Sequence, residues 1–327
     1  MDQLAPAQML WGLINTHTIA RCVHVVAEVG VADALGNQPR SVAELAAATG
    51  LNADALGRML RLLSAHGVFA CEAHGYVHTP ASILLRSDHP QSLRAFARMI
   101  GMPVIWRGFT DLEHAARMGT PATDSSGLFA YFASHPNEAS LFNQAMAGKS
   151  AGIVPTVVDS YDFSPFGTVA DIGGGRGHLL QAILERAPTT SGILYDLPHV
   201  IADASGIGSN RLRLMAGDFF REPLPVADAY VLMEVIHDWA DDKAAQILAA
   251  VRRAAHSSSR VLIVEALVSE SPGPDFGKML DIIMLAVTGG HERTSSEYER
   301  LLASTGFQLE RIVPTLSSYS VVEAAVA

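Results

Sequence analysis

The sequence predicts an α/β fold in which a doubly wound, mostly parallel sheet follows an N-terminal domain that is all-helical apart from a short β wing. Three observations support this prediction. Apolar residues recur at helical spacing before residue 150, short β runs alternate with helical stretches after it, and a glycine-dense turn follows the first β run. Such alternation is typical of parallel sheets that carry helices on both faces. The predicted domains are residues 1–98 and residues 99–327, and the second opens with a helical connector.

Composition restricts the class of protein and of partner. Of the 327 residues, 49 % are hydrophobic and 17 % are charged, which suits a large packed core. The net charge of −10, with three lysines among 23 basic residues, argues against a nucleic-acid or anionic-membrane partner. The two cysteines predict neither a disulfide framework nor a zinc site. No basic leader and no apolar run of about 20 residues occurs, so we expect a soluble cytoplasmic protein.

The N-terminal domain has the pattern of a winged helix. Ser41 and Glu44 form a capping box, residues 52–69 continue as a second helix, and a β wing follows around Gly75. A winged helix suggests DNA binding, but residues 1–100 contain seven arginines and seven acidic residues, so their charges cancel. Helices that read a DNA groove usually lie in a basic surface. We therefore interpret this domain as a structural or dimerising module.

The second domain contains a series of predicted strands with helices between them. The strands are residues 169–172, 192–196, 212–216, 229–233, 261–264, 307–312 and 320–324, and helices are predicted at 178–186 and 242–254. Parallel sheets of this kind bind ligands beyond the carboxyl ends of their strands. The glycine-rich and polar motifs of this chain follow those ends, so we expect them to form one site.

A glycine-dense turn, Val169-Ala-Asp-Ile-Gly-Gly-Gly-Arg-Gly177, joins the first of these strands to a helix. Glycine lets the backbone approach a ligand closely and adopt positive φ at little cost. The dinucleotide pattern begun at Gly173 would need a small residue where His178 stands. Asp171 would repel a pyrophosphate but would suit the ammonium of a cofactor that carries an amino acid. The turn therefore favours S-adenosylmethionine over NAD.

Two further strand ends carry carboxylates that suit a nucleoside. Asp196 ends the next predicted strand and can accept hydrogen bonds from both ribose hydroxyls. In Gly217-Asp-Phe-Phe220, Asp218 can accept from the adenine amino group while Phe219 stacks on the ring. A plain turn residue stays the alternative interpretation of Asp218.

His237, which follows the fourth strand in Met233-Glu-Val-Ile-His-Asp-Trp239, is the candidate general base. It is one of thirteen histidines, and most histidines are ordinary core or surface residues. Glu265 ends the fifth strand and Glu292 lies in the turn Gly289-Gly-His-Glu-Arg-Thr294. A glutamate at the end of a buried strand is costly unless it pairs or functions, so both are candidate partners of the histidine. An ordinary buried salt bridge stays the alternative for Glu265.

Taken together and in order, these motifs resemble the caffeic-acid-type O-methyltransferases, in both their plant members and their bacterial natural-product members. The motifs are Tyr161-Asp-Phe-Ser-Pro-Phe, Asp-Ile-Gly-Gly-Gly, Asp196-Leu-Pro, Gly-Asp-Phe, His-Asp-Trp and Gly-Gly-His-Glu-Arg-Thr. The resemblance covers essentially the whole chain. It implies a Rossmann-like class I methyltransferase domain, an N-terminal winged-helix dimerisation domain and a homodimer that forms through it.

The resemblance also implies a role for each site residue. His237 would be the general base, flanked and oriented by Glu265 and Glu292. The cofactor residues would be Ser150, Asp171, Gly173, Gly175, Asp196, Leu197, Gly217, Asp218, Phe219 and Trp239. The acceptor residues would be Trp106, Phe142, Met146, Asp238, Asp281 and Met284. Plant members carry a lysine where this chain has Met233, so one cofactor contact differs.

The implied chemistry is metal-free methyl transfer from S-adenosylmethionine to a hydroxyl of a small aromatic secondary metabolite, leaving S-adenosylhomocysteine. Alignment of the reacting atoms would supply the largest contribution, and proton removal by His237 roughly 10²–10⁴-fold. Glu265 or Glu292 would accept from the other ring nitrogen and favour the imidazolium. Three alternatives remain: methylation of a nitrogen in a heteroaromatic such as a phenazine, a relative that no longer methylates, and a winged-helix regulator that senses a ligand. The intact His-Asp-Trp favours oxygen.

Overall fold

The computed structural model describes residues 5–122 and 127–327, apart from the side chains of Phe129, Ala130 and Ala133. The chain divides into two compact units. The first comprises Met1–Trp106 and Phe132–Lys149, and the second comprises Arg107–Tyr131 and Ser150–Ala327. Within the described ranges, no helix combines the length and the apolar character that crossing a membrane requires.

Helices and one hairpin make up the N-terminal part of the first unit. Its elements are α1 (Pro6–Glu28), α2 (Val31–Leu35), α3 (Val42–Thr49), α4 (Ala53–Ala65), β1 (Phe69–Glu72), β2 (Gly75–His78), α5 (Pro80–Ile83) and α6 (Arg94–Ile100). Helices continue along residues 103–160, where the chain alternates between the units: α7 (Pro103–Thr110), α8 (Leu112–Met118), α9 (Gly127–Ser134) and α10 (Pro136–Ser160).

Capping side chains set the bounds of α3 and α4. The capping box of Ser41 and Glu44 is present, as the sequence predicts. The second helix is shorter than the predicted residues 52–69, because Asn52 caps its start from outside and the helix ends at Ala65. Gly67 then adopts a φ of 72°, which turns the chain out of the helix, so the prediction was wrong over its last turn.

The β wing lies where the sequence predicts it. Strands β1 and β2 pair antiparallel, and Arg40 extends this pairing through two backbone hydrogen bonds with Tyr76. Gly75 has a φ of 131°, and a Cβ there would lie 2.4 Å from the Arg40 carbonyl oxygen, so only glycine fits. The wing and the helices pack around one apolar core, whose largest members include Leu35, Leu45, Leu56, Leu60, Leu63 and Phe69.

A seven-stranded sheet forms the centre of the second unit. Its strands are β3 (Thr168–Ile172), β4 (Ser191–Asp196), β5 (Leu212–Ala216), β6 (Ala229–Met233), β7 (Arg260–Glu265), β8 (Phe307–Pro314) and β9 (Ser320–Val326), in the order β5-β4-β3-β6-β7-β9-β8. Strands β3 to β7 are parallel, and β9 pairs antiparallel with both β7 and β8. All seven predicted strands are therefore confirmed, with small extensions at their ends.

Helices cover both faces of this sheet. The helices are α11 (His178–Arg186), α12 (Pro198–Asp203), α13 (Asp241–Ala254), α14 (Phe276–Val287) and α15 (Ser295–Ser304), with 3₁₀ turns at Ser205–Ile207 and Ile236–Asp238. Alternate residues of the strands enter two apolar clusters, one shared with α13 and α15 and the other with α11 and the last turns of α10. The strand order reverses between β3 and β6, which is the point where a doubly wound sheet opens a crevice for ligands.

Candidate active site

The glycine turn after β3 depends on left-handed backbone. Gly173, Gly175 and Gly177 have φ values of 72°, 58° and 73°, which side-chain-bearing residues rarely adopt. The Gly173 N–H donates to the Tyr195 carbonyl at 2.8 Å, and the Gly175 N–H donates to Asp196 Oδ2 at 2.8 Å. These bonds join the turn to the end of β4, so the turn and Asp196 form one surface at the carboxyl edge of the sheet.

Asp171 lies beneath this turn. It is buried, and a Cβ on Gly174 would lie 2.4 Å from its carboxyl carbon, so glycine is required above it. Neither carboxyl oxygen has a well-formed hydrogen bond among the described residues, and the Leu180 backbone N–H makes only a minor contribution that lowers the pKa of Asp171. Burial, with a smaller contribution from the Asp196 carboxylate, raises the pKa of Asp171 to about 7. An unsatisfied buried carboxyl group of this kind marks a place where a bound cation would be stabilised.

Asp196 ends β4 with its carboxylate held by backbone. Oδ2 accepts from Gly175, and Oδ1 accepts from the Leu197 N–H at 2.7 Å. Burial raises the pKa of Asp196, and these two backbone donors oppose that shift. Each oxygen keeps a second lone pair, so the group can accept hydroxyl hydrogen bonds as well. Leu197 beside it is 39 % exposed, which leaves an apolar surface next to the carboxylate.

The end of β5 carries Gly217, Asp218 and Phe219. A Cβ on Gly217 would lie 2.3 Å from the Tyr195 hydroxyl, so packing on that ring requires glycine. Asp218 Oδ1 accepts from the Phe220 N–H at 2.9 Å. This contact is typical of a turn residue, which is the alternative interpretation of Asp218 in the sequence analysis. Its second oxygen lies 3.4 Å from Arg221. Phe219 stands perpendicular to Trp239, with their ring centroids 6.3 Å apart.

His237 lies in the 3₁₀ turn Ile236–Asp238, four residues beyond the end of β6. Its side chain is almost fully buried. Nδ1 is 2.5 Å from Glu292 Oε1, which is the distance of a strong, charge-assisted hydrogen bond. Nε2 lies 3.8 Å from Asp238 Oδ1, beyond hydrogen-bond distance. The arrangement fixes one ring nitrogen on a carboxylate and leaves the other as the atom that can exchange a proton with a ligand.

Glu265 and Glu292 play different parts around His237. The sequence left open which of them contacts the second ring nitrogen, and the structure brings Glu292 there. Glu265 instead accepts from the backbone N–H of His237 at 3.0 Å and from the hydroxyl of Tyr298. Burial raises the pKa of Glu265 to about 7. Glu292 Oε2 is buried without a partner among the described residues, so a bound molecule could satisfy it.

The protonation of His237 reflects its carboxylates. Burial by itself lowers the pKa of the imidazole, because a buried charge loses its hydration. Glu292, Asp238 and Glu265 outweigh burial and raise the pKa of His237 to about 10. These carboxylates therefore favour the protonated form of the imidazole.

Two of the predicted acceptor residues lie on α14. Asp281 Oδ1 accepts from the backbone N–H of Glu292 at 3.0 Å, so this side chain holds the segment that carries the partner of His237. Met284 is buried and packs with Leu280 and Ala266, the residue that follows Glu265. Both residues are thus connected to the elements that carry the glutamates.

Trp106, Phe142 and Met146 belong to the first compact unit, and their roles toward an acceptor stay predictions. Trp106 meets the ring of His24 edge to face at 5.5 Å and lies under the Arg21 guanidinium at 4.7 Å. Phe142 packs on Phe132, with their centroids 4.9 Å apart, and Met146 is half-buried on α10. Ser150, also on α10, opens the last segment of the second unit.

Glu234 is a site feature that sequence reasoning missed. Among the described residues it is the one non-glycine residue with positive φ, at 56°. Its Oε1 accepts from the Tyr319 hydroxyl at 2.7 Å. Strained backbone persists only where its surroundings hold it, and here it bends the chain from β6 into the turn of His237. No pattern in the sequence marks this residue, because the partner of its side chain lies 85 positions away.

Arg293 and Tyr298 are two further residues that sequence reasoning missed. Arg293 is 1 % exposed, and its guanidinium contacts the segments on both sides of the His237–Glu292 pair. Tyr298 donates its hydroxyl to Glu265. Within the described residues, no group of three or more His, Cys, Asp or Glu side chains is arranged to hold a metal ion.

Comparison with known proteins places this geometry among methyltransferases. Residues 109–308 match the O-methyltransferase domain family, and residues 11–88 match the O-methyltransferase dimerisation domain family. The phenazine O-methyltransferase PhzM of Lysobacter antibioticus is 40 % identical to this chain over 328 residues, covering 97 % of this chain and 96 % of that relative.

Two other relatives bear on the chemistry. The 8-amino-8-demethylriboflavin N,N-dimethyltransferase of Streptomyces davaonensis is 34 % identical over 331 residues, covering 97 % of this chain and 94 % of that relative. The crystal structure of CalO1, a methyltransferase in calicheamicin biosynthesis in its SAH-bound form, matches with a TM-score of 0.89 at 36 % identity and covers 100 % of both chains.

Proposed function

Because the chain belongs to the S-adenosylmethionine-dependent O-methyltransferases and carries their dimerisation domain, we propose that it methylates a hydroxyl of a small aromatic secondary metabolite with His237 as general base. The observation that carries this proposal is the buried pair of His237 and Glu292 at the carboxyl edge of the sheet. A ring nitrogen held by a carboxylate, with the second nitrogen available, is the arrangement of a histidine base.

The residues at the switch point of the sheet fit the family's cofactor. Asp171 offers a buried charge to an ammonium group, and Asp196 keeps lone pairs for ribose hydroxyls. We propose that the cofactor is held by Ser150, Asp171, Gly173, Gly175, Asp196, Leu197, Gly217, Asp218, Phe219 and Trp239. The bound sulfonium supplies an electrophilic methyl group. The protein's own contribution is to orient the acceptor and to manage one proton.

That proton moves along a short path. Nε2 of His237 takes it from the acceptor hydroxyl while the oxygen forms its bond to the methyl carbon and the carbon–sulfur bond breaks. Glu292 accepts from Nδ1–H, which fixes the tautomer and stabilises the imidazolium that forms. Glu265 holds the backbone N–H of His237, so the imidazole is anchored from its main chain as well. The products are an aryl methyl ether, S-adenosylhomocysteine and a proton.

His237 must be neutral before it can accept this proton. The carboxylates around it raise its pKa to about 10. A cation bound on the same edge of the sheet opposes a second positive charge and lowers the pKa of the imidazole. We therefore propose that the loaded enzyme releases the proton of His237, which makes its turnover increase with pH.

We expect Glu292→Gln to move this pH dependence toward acid. Removing the carboxylate removes the group that stabilises the imidazolium, so the pKa of His237 falls and the rising limb of the turnover profile shifts down by about one pH unit or more. The plateau rate falls too, because an amide holds the tautomer less well. The measurement is turnover against pH at saturating cofactor, with Glu270→Gln, a solvent-exposed glutamate, as control. A rising limb at the same pH as in the wild type would contradict the proposed effect of Glu292 on the pKa of His237.

The acceptor class is tested by methyl transfer to matched aromatic pairs. The assay follows radiolabelled methyl from S-adenosylmethionine to phenazines and naphthoates that carry a hydroxyl or, at the same position, an amino group. We expect label on the hydroxyl members, because a base that removes a proton helps oxygen more than an amine that is already nucleophilic. The riboflavin relative is named for dimethylating an amino group, so transfer to the amino members alone would favour nitrogen as the acceptor atom.

Asp171→Asn tests the proposed ammonium contact. The ammonium group of the ligand's amino-acid part favours the ionised carboxylate of Asp171, whose pKa burial raises to about 7. Affinity for S-adenosylhomocysteine should therefore increase as the pH is raised through that value. In the variant we expect affinity reduced by roughly tenfold and this dependence lost. Calorimetric titration measures both, with the exposed Asp162→Asn as control. Equal affinity and equal pH dependence in the Asp171 variant would exclude the contact.

We further propose that residues 1–98 form the dimerisation domain and that the enzyme is a homodimer. The dimerisation family covers residues 11–88. Helix α1 leaves large apolar side chains exposed: Met9, Leu10, Trp11, Leu13 and Ile14. An apolar patch of this size is a liability unless a partner covers it. A sedimentation mass of one chain at assay concentration would contradict this proposal.

A further inference from the structure

Among the described residues, Arg293 is the largest side chain that is less than 2 % exposed. Burying a guanidinium is costly unless its donors are satisfied. Here Nε and Nη2 donate to Asp241 Oδ1 at 3.0 and 2.8 Å. Nη2 also donates to the Trp239 carbonyl at 2.9 Å, and Nη1 donates to the His291 carbonyl at 3.0 Å and the Ile236 carbonyl at 3.3 Å. Each of its three nitrogens therefore has a partner.

The backbone carbonyls that Arg293 contacts surround the proposed base and its partner. Ile236 and Trp239 flank His237 in its turn, and His291 immediately precedes Glu292. The two segments also meet directly, because the His291 N–H donates to the His237 carbonyl at 2.8 Å. One guanidinium therefore connects the backbone that carries the imidazole to the backbone that carries its carboxylate.

We infer that Arg293 is a positioning residue: its guanidinium sets the spacing of the two segments and thereby seats Nδ1 of His237 on Glu292. The expected effect on turnover rests on the proposed function. The contact between Nδ1 of His237 and Glu292 can be measured without any assay of turnover. The Nδ1–Oε1 distance of 2.5 Å leaves little room for movement. A lysine cannot reproduce the effect, because its single ammonium lacks the planar set of donors with which the guanidinium contacts three carbonyls and a carboxylate.

The chain offers a matched control in Arg211. Its guanidinium also donates to three backbone carbonyls, those of Leu184, Ala187 and Thr190, at 3.0–3.2 Å. Arg211 precedes β5 and so lies at the amino edge of the parallel strands, opposite the site. Arg211→Lys removes a clamp of the same kind without touching the segments of His237 and Glu292.

The test compares Arg293→Lys with Arg211→Lys by proton NMR and by kinetics. We expect the strong Nδ1–H hydrogen bond of His237 to give a far-downfield proton signal, and loss of that signal in Glu292→Gln would assign it. In Arg293→Lys we expect this signal lost or moved upfield, turnover reduced by about tenfold or more, and the rising pH limb shifted toward acid. The KM for the acceptor and the affinity for S-adenosylhomocysteine should not change. Arg211→Lys should keep the wild-type signal and pH limb.

Each outcome decides the inference. A wild-type NMR signal and pH limb in folded Arg293→Lys would overturn it, as would the same changes in Arg211→Lys. Should Arg293→Lys fail to fold, Asp241→Ala keeps the arginine but removes the oxygen that accepts from both Nε and Nη2, and an unchanged signal there would overturn the inference equally. Failure of the proposed function has a different signature: the NMR change would persist while loss of His237 left turnover intact.

Discussion

We expect His237→Ala to lower turnover by about 10²–10⁴-fold while the affinity for S-adenosylhomocysteine stays at the wild-type level. The imidazole supplies the proton acceptor, whereas the proposed cofactor contacts lie on the glycine turn and on the ends of β4 and β5. Turnover with a reactive acceptor and calorimetric titration measure the two quantities separately. His256→Ala is the matched control, because His256 pairs with Asp228 before β6, at the opposite edge of the sheet.

The alanine variant also leaves Glu292 buried without its main partner, and that loss destabilises the fold. His237→Gln therefore accompanies it, since an amide can still donate to the carboxylate but cannot accept a proton at neutral pH. Both variants should lose turnover alike, and added imidazole should restore part of it only in the alanine variant, where space is available. Turnover close to wild type in the glutamine variant would refute the assignment of His237 as base.

The sheet could be predicted from the sequence because its signals are local. The parallel strands consist mainly of apolar residues, and β3, β4, β6 and β7 enter the core on both faces. A glycine or an acidic residue ends or directly follows each parallel strand. The overlong second helix shows the limit of such signals. Apolar spacing continues past Ala65, and only the left-handed φ of Gly67 shows that the chain has already turned toward the wing.

Which residues lie near the candidate site could be predicted better than what each residue contacts. A carboxylate at the end of a parallel strand lies at the carboxyl edge of the sheet, where such folds bind ligands. This reasoning predicts the positions of Asp196 and Glu265. It does not say that Glu265 binds the main chain of His237 while Glu292 binds the ring, since that depends on Ångström-scale geometry. The predicted boundary between residues 98 and 99 stays a prediction.

Arg293 and Tyr298 could not be found from the sequence for a physical reason. Apart from the His291 carbonyl, their partners lie 33–57 positions away: the Ile236 and Trp239 carbonyls and the carboxylates of Asp241 and Glu265. Any residue type supplies a backbone carbonyl. Composition or spacing cannot encode such contacts. In the sequence, a single Arg after His-Glu resembles an ordinary surface charge. Only the structure shows that Arg293 is buried and therefore that its contacts are important.

A second large effect is expected from Gly290→Ala. A Cβ at this position would lie 1.9 Å from the His237 carbonyl oxygen and 2.5 Å from the Asp238 carbonyl carbon. Both are backbone atoms, so no rotamer change relieves the clash, and the segment before Glu292 must move by roughly 1 Å, which can cost about 10²-fold in rate. Overpacking of this kind also costs about 1–3 kcal/mol in the free energy of unfolding.

This variant separates the presence of the base from its position. His237 and Glu292 both remain, so a fall of about 10²-fold in turnover would come from changed positions and not from the loss of either side chain. Turnover, the thermal midpoint and the downfield Nδ1–H signal are the measurements, and we expect all three to decrease while S-adenosylhomocysteine still binds. Gly206→Ala is the control, because a Cβ there meets nothing within 4 Å. Wild-type turnover with an unchanged signal would contradict this prediction. It would mean that the segments of His237 and Glu292 can move apart without separating the imidazole from the carboxylate.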